Sequence, residues 1–151
     1  MINTNTEEPL LPPGLHDLAV SQLNNHFFSD FPDSNTRAPL IRGLSSYIDS
    51  LKILGIPLEI WLDGSFTTTK IDPNDIDLVI FASENDVNNL SDEYKDLLRS
   101  LINRLDIKKR FGCDTLFSIT EDINMRSYWR GWYGFDRNEV PKGIVRLQVN
   151  L

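Results

Sequence analysis

Cysteine, histidine and long apolar runs are scarce in this chain of 151 residues. The one cysteine, Cys113, excludes a framework of intrachain disulfides. The two histidines, His16 and His26, have no cysteine or further histidine at ligand spacing, so we expect surface or packing roles rather than a zinc site. Without a long apolar run or a signal-peptide pattern, we expect no membrane partner, and the cytoplasm is the default compartment.

Positive charge is also limited. The chain has 15 Lys and Arg against 22 Asp and Glu, which gives a formal net charge of −7. Proteins that bind nucleic acid without sequence preference are usually basic, so we expect no DNA partner. An acidic chain can still bind a nucleotide, a metal ion or a basic protein. The length fits a single domain over residues 1–151, in which we expect residues 1–10 to be disordered.

Hydrophobic periodicity predicts an α/β protein. The predicted helices span residues 15–28, 36–54, 91–105 and 125–132, and the predicted strands span residues 58–62, 75–82, 112–119 and 144–151. We interpret this order as a small mixed, twisted sheet with its helices packed on one face. The other face would then be open and would carry the functional site.

Two carboxylates open the second predicted strand. Asp75 and Asp77 are two positions apart, so both side chains project to the same side of the sheet. Two adjacent carboxylates repel each other unless a cation lies between them, and oxygen ligands suit Mg2+ or Mn2+. A simple turn at residues 72–75 is the alternative. We favour the metal site, because a turn does not explain an aspartate inside the apolar run of residues 76–80.

A glycine–serine pair precedes these carboxylates. Gly64 would let a phosphate chain approach the backbone closely, and Ser65 offers a hydroxyl and a backbone N–H. Lys70 in the following loop could contact a triphosphate or remain in solvent. Arg37, in the longest predicted helix, could likewise contact a phosphate or lie on a solvated face.

Gly64-Ser65, nine residues and then Asp75-x-Asp77 resemble the signature of the polymerase-beta-like nucleotidyltransferase superfamily, over about residues 40–120. The resemblance implies a nucleotidyltransferase-like fold in which Gly64 and Ser65 bind a nucleoside triphosphate, most simply ATP. It also implies that Asp75 and Asp77 bind two metal ions, together with a third carboxylate on a neighbouring strand. Asp114 is the candidate, although a strand-end aspartate can instead bond its own turn.

The whole chain also resembles a small bacterial group with nucleotidyltransferase-like domains and no established activity. That resemblance rests on residues 11–14, 62–66 and 142–147. Lys142, in the last of these segments, could reach a phosphate, but the superfamily signature does not assign it a role.

Two functions follow as expectations. The first is a metal-dependent nucleotidyltransferase that moves a nucleoside monophosphate onto a protein or RNA hydroxyl, with tRNA among the acceptors. The second is a catalytically silent protein-binding module. Minimal domains of this kind resemble the smaller partners in bacterial toxin–antitoxin and antiviral defence pairs, and an acidic chain could neutralise a basic toxin. The aromatic segment at residues 128–133 could stack a base, but we favour a core or partner surface.

Overall fold

The computed structural model describes residues 8–135 and 141–150. Within them a five-stranded mixed sheet has the strand order β1-β5-β2-β3-β4. The strands are β1 Gly14–Asp17, β2 Leu58–Asp63, β3 Ile76–Ala82, β4 Cys113–Ile119 and β5 Gly143–Val149. β2 runs antiparallel to β3 and β5, whereas β1 is parallel to β5 and β4 is parallel to β3. The prediction of an α/β fold with a mixed sheet is confirmed.

Six α-helices accompany the sheet in the described part of the chain. They are α1 Leu23–Phe27, α2 Arg37–Lys52, α3 Glu84–Asn88, α4 Asp92–Leu101, α5 Arg104–Phe111 and α6 Ile123–Tyr133. None of the helices in residues 8–135 or 141–150 has the length and apolar character needed to cross a membrane.

The predicted helix over residues 91–105 is wrong at its end. Helix α4 stops after Leu101, and Asn103 begins a second helix by accepting a hydrogen bond from the Asp106 N–H at 3.1 Å. Leu105 is consequently 83% exposed, while Ile107 is fully buried. The asparagine cap overrides the apolar spacing, because its side chain satisfies one of the free N–H groups in the first turn of the new helix.

The predicted helix over residues 15–28 is wrong in its first half. Residues 14–17 instead form the edge strand β1, which pairs with β5 from Gly14↔Gly143 to Asp17↔Arg146. A single 3-10 turn, Val20–Gln22, and the short helix α1 are what remain of the prediction. The hydrogen bonds available at the edge of β5 outweigh the weak helical pattern of this segment.

Residues 8–10, expected to be disordered, pair with the loop that follows β2. The Leu10 N–H donates to the Thr67 carbonyl at 3.0 Å, and the Thr69 N–H donates to the Glu8 carbonyl at 2.8 Å. These backbone hydrogen bonds order the segment, so the prediction of disorder is wrong there. The first seven residues of that predicted tail lie outside the described residues.

The main core lies on one face of the sheet. Alternate residues of the strands, such as Ile60, Leu78 and Leu147, point into it and are at most 1% exposed. Helices α1, α2, α4 and α5 bury side chains in the same core. Cys113 belongs to it as well, so this cysteine points away from Asp114, its neighbour in β4.

The prediction that all helices pack on one face is wrong. Trp61, Val79 and Phe81 form a second apolar cluster on the opposite face, and Trp129 and Tyr133 of α6 pack against it. Large apolar side chains on that face would otherwise be exposed to water, which supplies the driving force for α6 to cover them. The carboxylates lie on this second face, beyond the aromatic cluster.

Candidate functional site

The sheet register brings the strand carboxylates together. Asp63 of β2 pairs with Asp77 of β3, and Asp77 in turn pairs with Asp114 of β4. Directly paired residues share a face of the sheet, so these three side chains lie in a row. Asp75 lies just before β3, and one carboxylate oxygen each of Asp75, Asp77 and Asp114 falls within 4.8 Å of the others. The structure therefore places the three predicted carboxylates side by side.

Asp63 is a fourth carboxylate, which sequence reasoning missed. Its side chain is only 5% exposed, and the Lys142 Nζ lies 2.9 Å from its Oδ1. Burial raises the pKa of Asp63 to about 7, although the charge of Lys142 opposes this. An aspartate at the end of an apolar strand, directly before Gly64-Ser65, was the available signal. The pairing with Lys142 depends on β2 and β5 being neighbours.

The turn at Gly64 packs directly against Asp77. Gly64 has φ +82° and ψ −162°, a conformation that is essentially restricted to glycine. A Cβ atom at this position would lie 2.4 Å from Asp77 Oδ2 and 2.9 Å from Asp77 Cγ. Ser65 follows and begins a single 3-10 turn, Ser65–Thr67. Gly64 and Asp77, which the sequence separates by twelve residues, are thus in contact.

Arg37 binds the backbone of the loop that follows this turn. Its guanidinium is fully buried, and all five of its N–H donors are used. They donate to the backbone carbonyls of Phe27 at 2.9 Å, Phe66 at 2.8 Å, Thr68 at 2.7 Å and Lys70 at 2.6 and 3.2 Å. Burial lowers the pKa of Arg37 to about 10, which the charge of Asp72 opposes. Both predictions for Arg37, a phosphate contact and a place on a solvated face, are therefore wrong: this residue positions the loop.

Helix α5 supplies two cations to the cluster. Arg104 donates to both oxygens of Asp114, from Nε at 2.5 Å and from Nη2 at 3.0 Å, and Lys108 Nζ lies 3.2 Å from Asp75 Oδ2. The hydrogen bond from Arg104 lowers the pKa of Asp114. Sequence reasoning missed both cations, because the predicted helix over residues 91–105 does not place Arg104 and Lys108 on one helix face.

Asp77 lies at the centre of the cluster with like charges on both sides. Burial, with the added repulsion of Asp75 and Asp114, raises the pKa of Asp77 to about 6. Of the lysines and arginines in the described ranges, none has a nitrogen within 4.0 Å of its carboxylate. Tyr133 of α6 is buried nearby, and burial together with the charges of Asp77 and Asp63 raises its pKa.

The donor set fits a hard divalent cation. Two oxygens bound to the same Mg2+ at its usual distance are at most about 4.2 Å apart. The separations within the trio, up to 4.8 Å, need only a small side-chain adjustment to reach that value. A cation at this place would also relieve the repulsion on Asp77, which no direct ion pair in the described residues removes.

A family model matches the chain over residues 3–148, and it describes a family of unknown function, DUF6932. The chain belongs to this family. No curated protein and no solved structure matches the chain. The matched range includes Gly64, the four carboxylates and their three cations, so the whole cluster lies inside the family's extent.

Proposed function

We propose that this DUF6932 protein is a metal-dependent nucleotidyltransferase, which moves a nucleoside monophosphate from a nucleoside triphosphate to a protein or RNA hydroxyl. The observation that carries the proposal is the contact between the Gly64 turn and Asp77 at the centre of three carboxylates. In phosphoryl-type transfer the metal ions bridge the phosphate oxygens. A phosphate-binding turn and a carboxylate cluster therefore have to adjoin each other, and the close approach of the Gly64 turn to Asp77 supports this assignment.

Each residue has a distinct role in this proposal. Asp75, Asp77 and Asp114 hold Mg2+ or Mn2+, which when bound neutralises charge on the attacking and leaving oxygens. Gly64 presents backbone without a side chain to the triphosphate, and Ser65 adds a hydroxyl. Asp114 would hold the metal ion that activates the acceptor hydroxyl. No histidine base is required, because positioning and charge neutralisation supply most of the catalysis.

A catalytically silent protein-binding module is the second candidate. One observation favours it: Asp75 and Asp114 are already ion-paired with Lys108 and Arg104, so intrachain cations could replace the metal permanently. Helix α6 also exposes Trp132 by 65%. An acidic chain with such a surface suits a basic partner, such as a toxin or a defence-system subunit.

Manganese binding tests the metal site directly. We expect calorimetry to show Mn2+ binding by the wild type and none by the double variant Asp75→Asn, Asp77→Asn. The control is Asp30→Asn, Asp33→Asn, which removes the same charge from exposed loop positions and should bind like the wild type. Equal heats from the wild type and from the Asp75, Asp77 variant would contradict the proposed site.

Label transfer separates the enzyme from the silent module. Each α-labelled nucleoside triphosphate is incubated with Mg2+ or Mn2+ and the protein alone, with bulk tRNA, or with the product of the adjacent gene. We expect Asp114→Asn to keep nucleotide binding but to reduce transfer by orders of magnitude, since the lost interaction belongs to the transition state. Unchanged transfer by Asp114→Asn would remove this residue from the catalytic set. No transfer by the wild type, with tight binding of the adjacent product, would favour the silent module.

A further inference from the structure

Helix α5 presents two cations, one turn apart, to the carboxylate cluster. Arg104 and Lys108 are four residues apart, so their side chains lie on the same face of the helix. Arg104 contacts Asp114 and Lys108 contacts Asp75, which are the carboxylates on either side of Asp77. The two cations therefore pair with the outer members of the trio, and its centre has no direct ion pair within residues 8–135 and 141–150.

These two side chains differ from Lys142, the third cation of the cluster. The side chains of Arg104 and Lys108 are 60% and 52% exposed, whereas that of Lys142 is 9% exposed. Exposed ion pairs are weak, because water screens the charges and long side chains lose conformational entropy in them. Arg104 and Lys108 can therefore leave their carboxylates at little cost, while Lys142 is held in place.

The helix itself need not move when they do so. Ile107, between the two cations, is fully buried in the main core. The Asn103 side chain caps the start of α5, and Gly112 ends the helix in the left-handed conformation with φ +72°. Because the backbone is anchored at both ends and in the middle, release of the two side chains requires only rotamer changes.

The charge of the cluster decides where the released cations go. Its four carboxylates and three cations carry a net charge of −1 when all are ionised. Arg104 and Lys108 themselves face a net charge of −3, from the four carboxylates and Lys142; one divalent ion reduces it to −1, and a second reverses it to +1. One divalent ion therefore weakens the attraction that holds Arg104 and Lys108, and two remove it. With the two side chains counted, the cluster is then positive, and a polyphosphate becomes the complementary ligand.

We infer that Arg104 and Lys108 are an exchangeable pair: they yield Asp114 and Asp75 to a divalent cation and then bind the phosphate oxygens of the nucleotide. This inference rests on the proposed function and adds two residues to its phosphate-binding set. The planar guanidinium of Arg104 suits two phosphate oxygens at once, and the ammonium of Lys108 provides a point charge.

Binding measurements on one pair of matched variants test the exchange. Arg104→Gln, Lys108→Gln removes the exchangeable pair, and Lys109→Gln, Arg110→Gln removes the same charge from the same helix without touching the cluster. The Arg110 side chain pairs with Asp106 instead. The probes are Mn2+ alone and inorganic tripolyphosphate with Mg2+, which reports on phosphate binding without a base. Melting curves confirm that both variants fold.

The two probes should respond in opposite directions. We expect Arg104→Gln, Lys108→Gln to bind Mn2+ roughly two- to fivefold more tightly than the wild type, the scale of an exposed ion pair. The same variant should bind Mg2+–tripolyphosphate about tenfold more weakly, because two charge-assisted contacts are lost. The Lys109→Gln, Arg110→Gln control should match the wild type with both probes.

Other outcomes overturn the inference in distinguishable ways. Equal Mn2+ affinity in the wild type and in Arg104→Gln, Lys108→Gln would exclude competition and leave the proposed metal site standing. Unchanged tripolyphosphate binding would exclude the phosphate contact. Mn2+ binding by this variant but not by the wild type would show a permanent replacement of the metal. No Mn2+ binding by either protein would overturn the proposed function together with the exchange.

Discussion

Two groups of charges lie beside the segment that begins at Gly64, and they are compensated in contrasting ways. The first is Arg37, which is fully buried and donates all of its hydrogen bonds to neutral carbonyls. The second is the carboxylate cluster, which is partly exposed. Its centre, Asp77, has no direct ion pair in the part of the chain that the structure describes. A buried charge whose donors are all hydrogen-bonded is part of the structure and is not available to a ligand. Charges that are exposed or incompletely compensated remain available to a ligand.

Loss of the buried arginine should have the largest effect. We expect Arg37→Met to destabilise the protein by about 3–5 kcal/mol, because several buried carbonyls lose their donors at once. Arg37→Lys should recover only part of this loss, since an ammonium has three donors and cannot span the same carbonyls. Urea unfolding measures both.

The control for this prediction lies in the same helix. Arg42 is exposed, so Arg42→Met should change the free energy of unfolding by no more than about 0.5 kcal/mol. If Arg37→Met were as mild as Arg42→Met, the assignment of Arg37 as the structural support of the loop would be wrong.

Gly64 approaches Asp77 and begins the loop that Arg37 binds, and its substitution should have the next largest effect. We expect Gly64→Ala to cost about 2–3 kcal/mol, because the backbone is strained for any residue with a Cβ. The new Cβ also meets Asp77, 2.4 Å from its Oδ2. Adding Asp77→Ala should therefore recover part of the loss, but not the part due to the backbone. Unfolding of the two single variants and the double variant measures this coupling.

Gly131 provides a matched glycine. It lies inside helix α6, and a Cβ there would have no neighbour within 4 Å. Gly131→Ala should be neutral or stabilise the protein by up to about 1 kcal/mol, in line with the helix propensities of the two residues. Additive effects of Gly64→Ala and Asp77→Ala would show that the close contact with Asp77 contributes nothing.

The smallest expected effect is a pH-dependent gain from removing the central charge. Because the pKa of Asp77 is raised to about 6 in the folded protein, the folded state binds more protons than the unfolded state between about pH 4 and pH 6. The stability contribution of this group therefore falls as the pH rises through that window. Asp77→Asn removes the penalty, so its advantage over the wild type should appear above pH 6 and disappear below pH 4.

The expected gain is on the order of 1–2 kcal/mol at pH 7.5, after allowance for solvent screening of a partly exposed group. Unfolding of the wild type and the variant at several pH values measures it. Asp114→Asn should instead destabilise the protein at neutral pH, because Arg104 would lose its partner. The hydrogen bond from Arg104 lowers the pKa of Asp114, so this carboxylate is stabilised in its charged form. A destabilised Asp77→Asn at pH 7.5 would show that the carboxylate is already compensated within the protein.

Local pattern predicted much of the sheet and most of the site. The periods of two and 3.6 residues located β2, β3, β4, β5 and α2. Asp114 and Cys113 are neighbours in β4 and face opposite sides of the sheet, as the alternation of side chains along a strand requires. Pattern failed at β1 and at the boundary between α4 and α5. In the first case a long-range pairing decided the conformation, and in the second a single asparagine cap did so.

The sequence by itself determined that Asp75 and Asp77 lie together at the start of a strand and that a glycine turn precedes them, since both follow from neighbouring residues. Tertiary structure decided what surrounds them. The order β5-β2-β3-β4 puts Asp63 and Asp114 on either side of Asp77, and the packing of α5 directs its cations at the cluster. Contacts between residues distant in the chain depend on strand order, register and helix packing, and no local pattern encodes them.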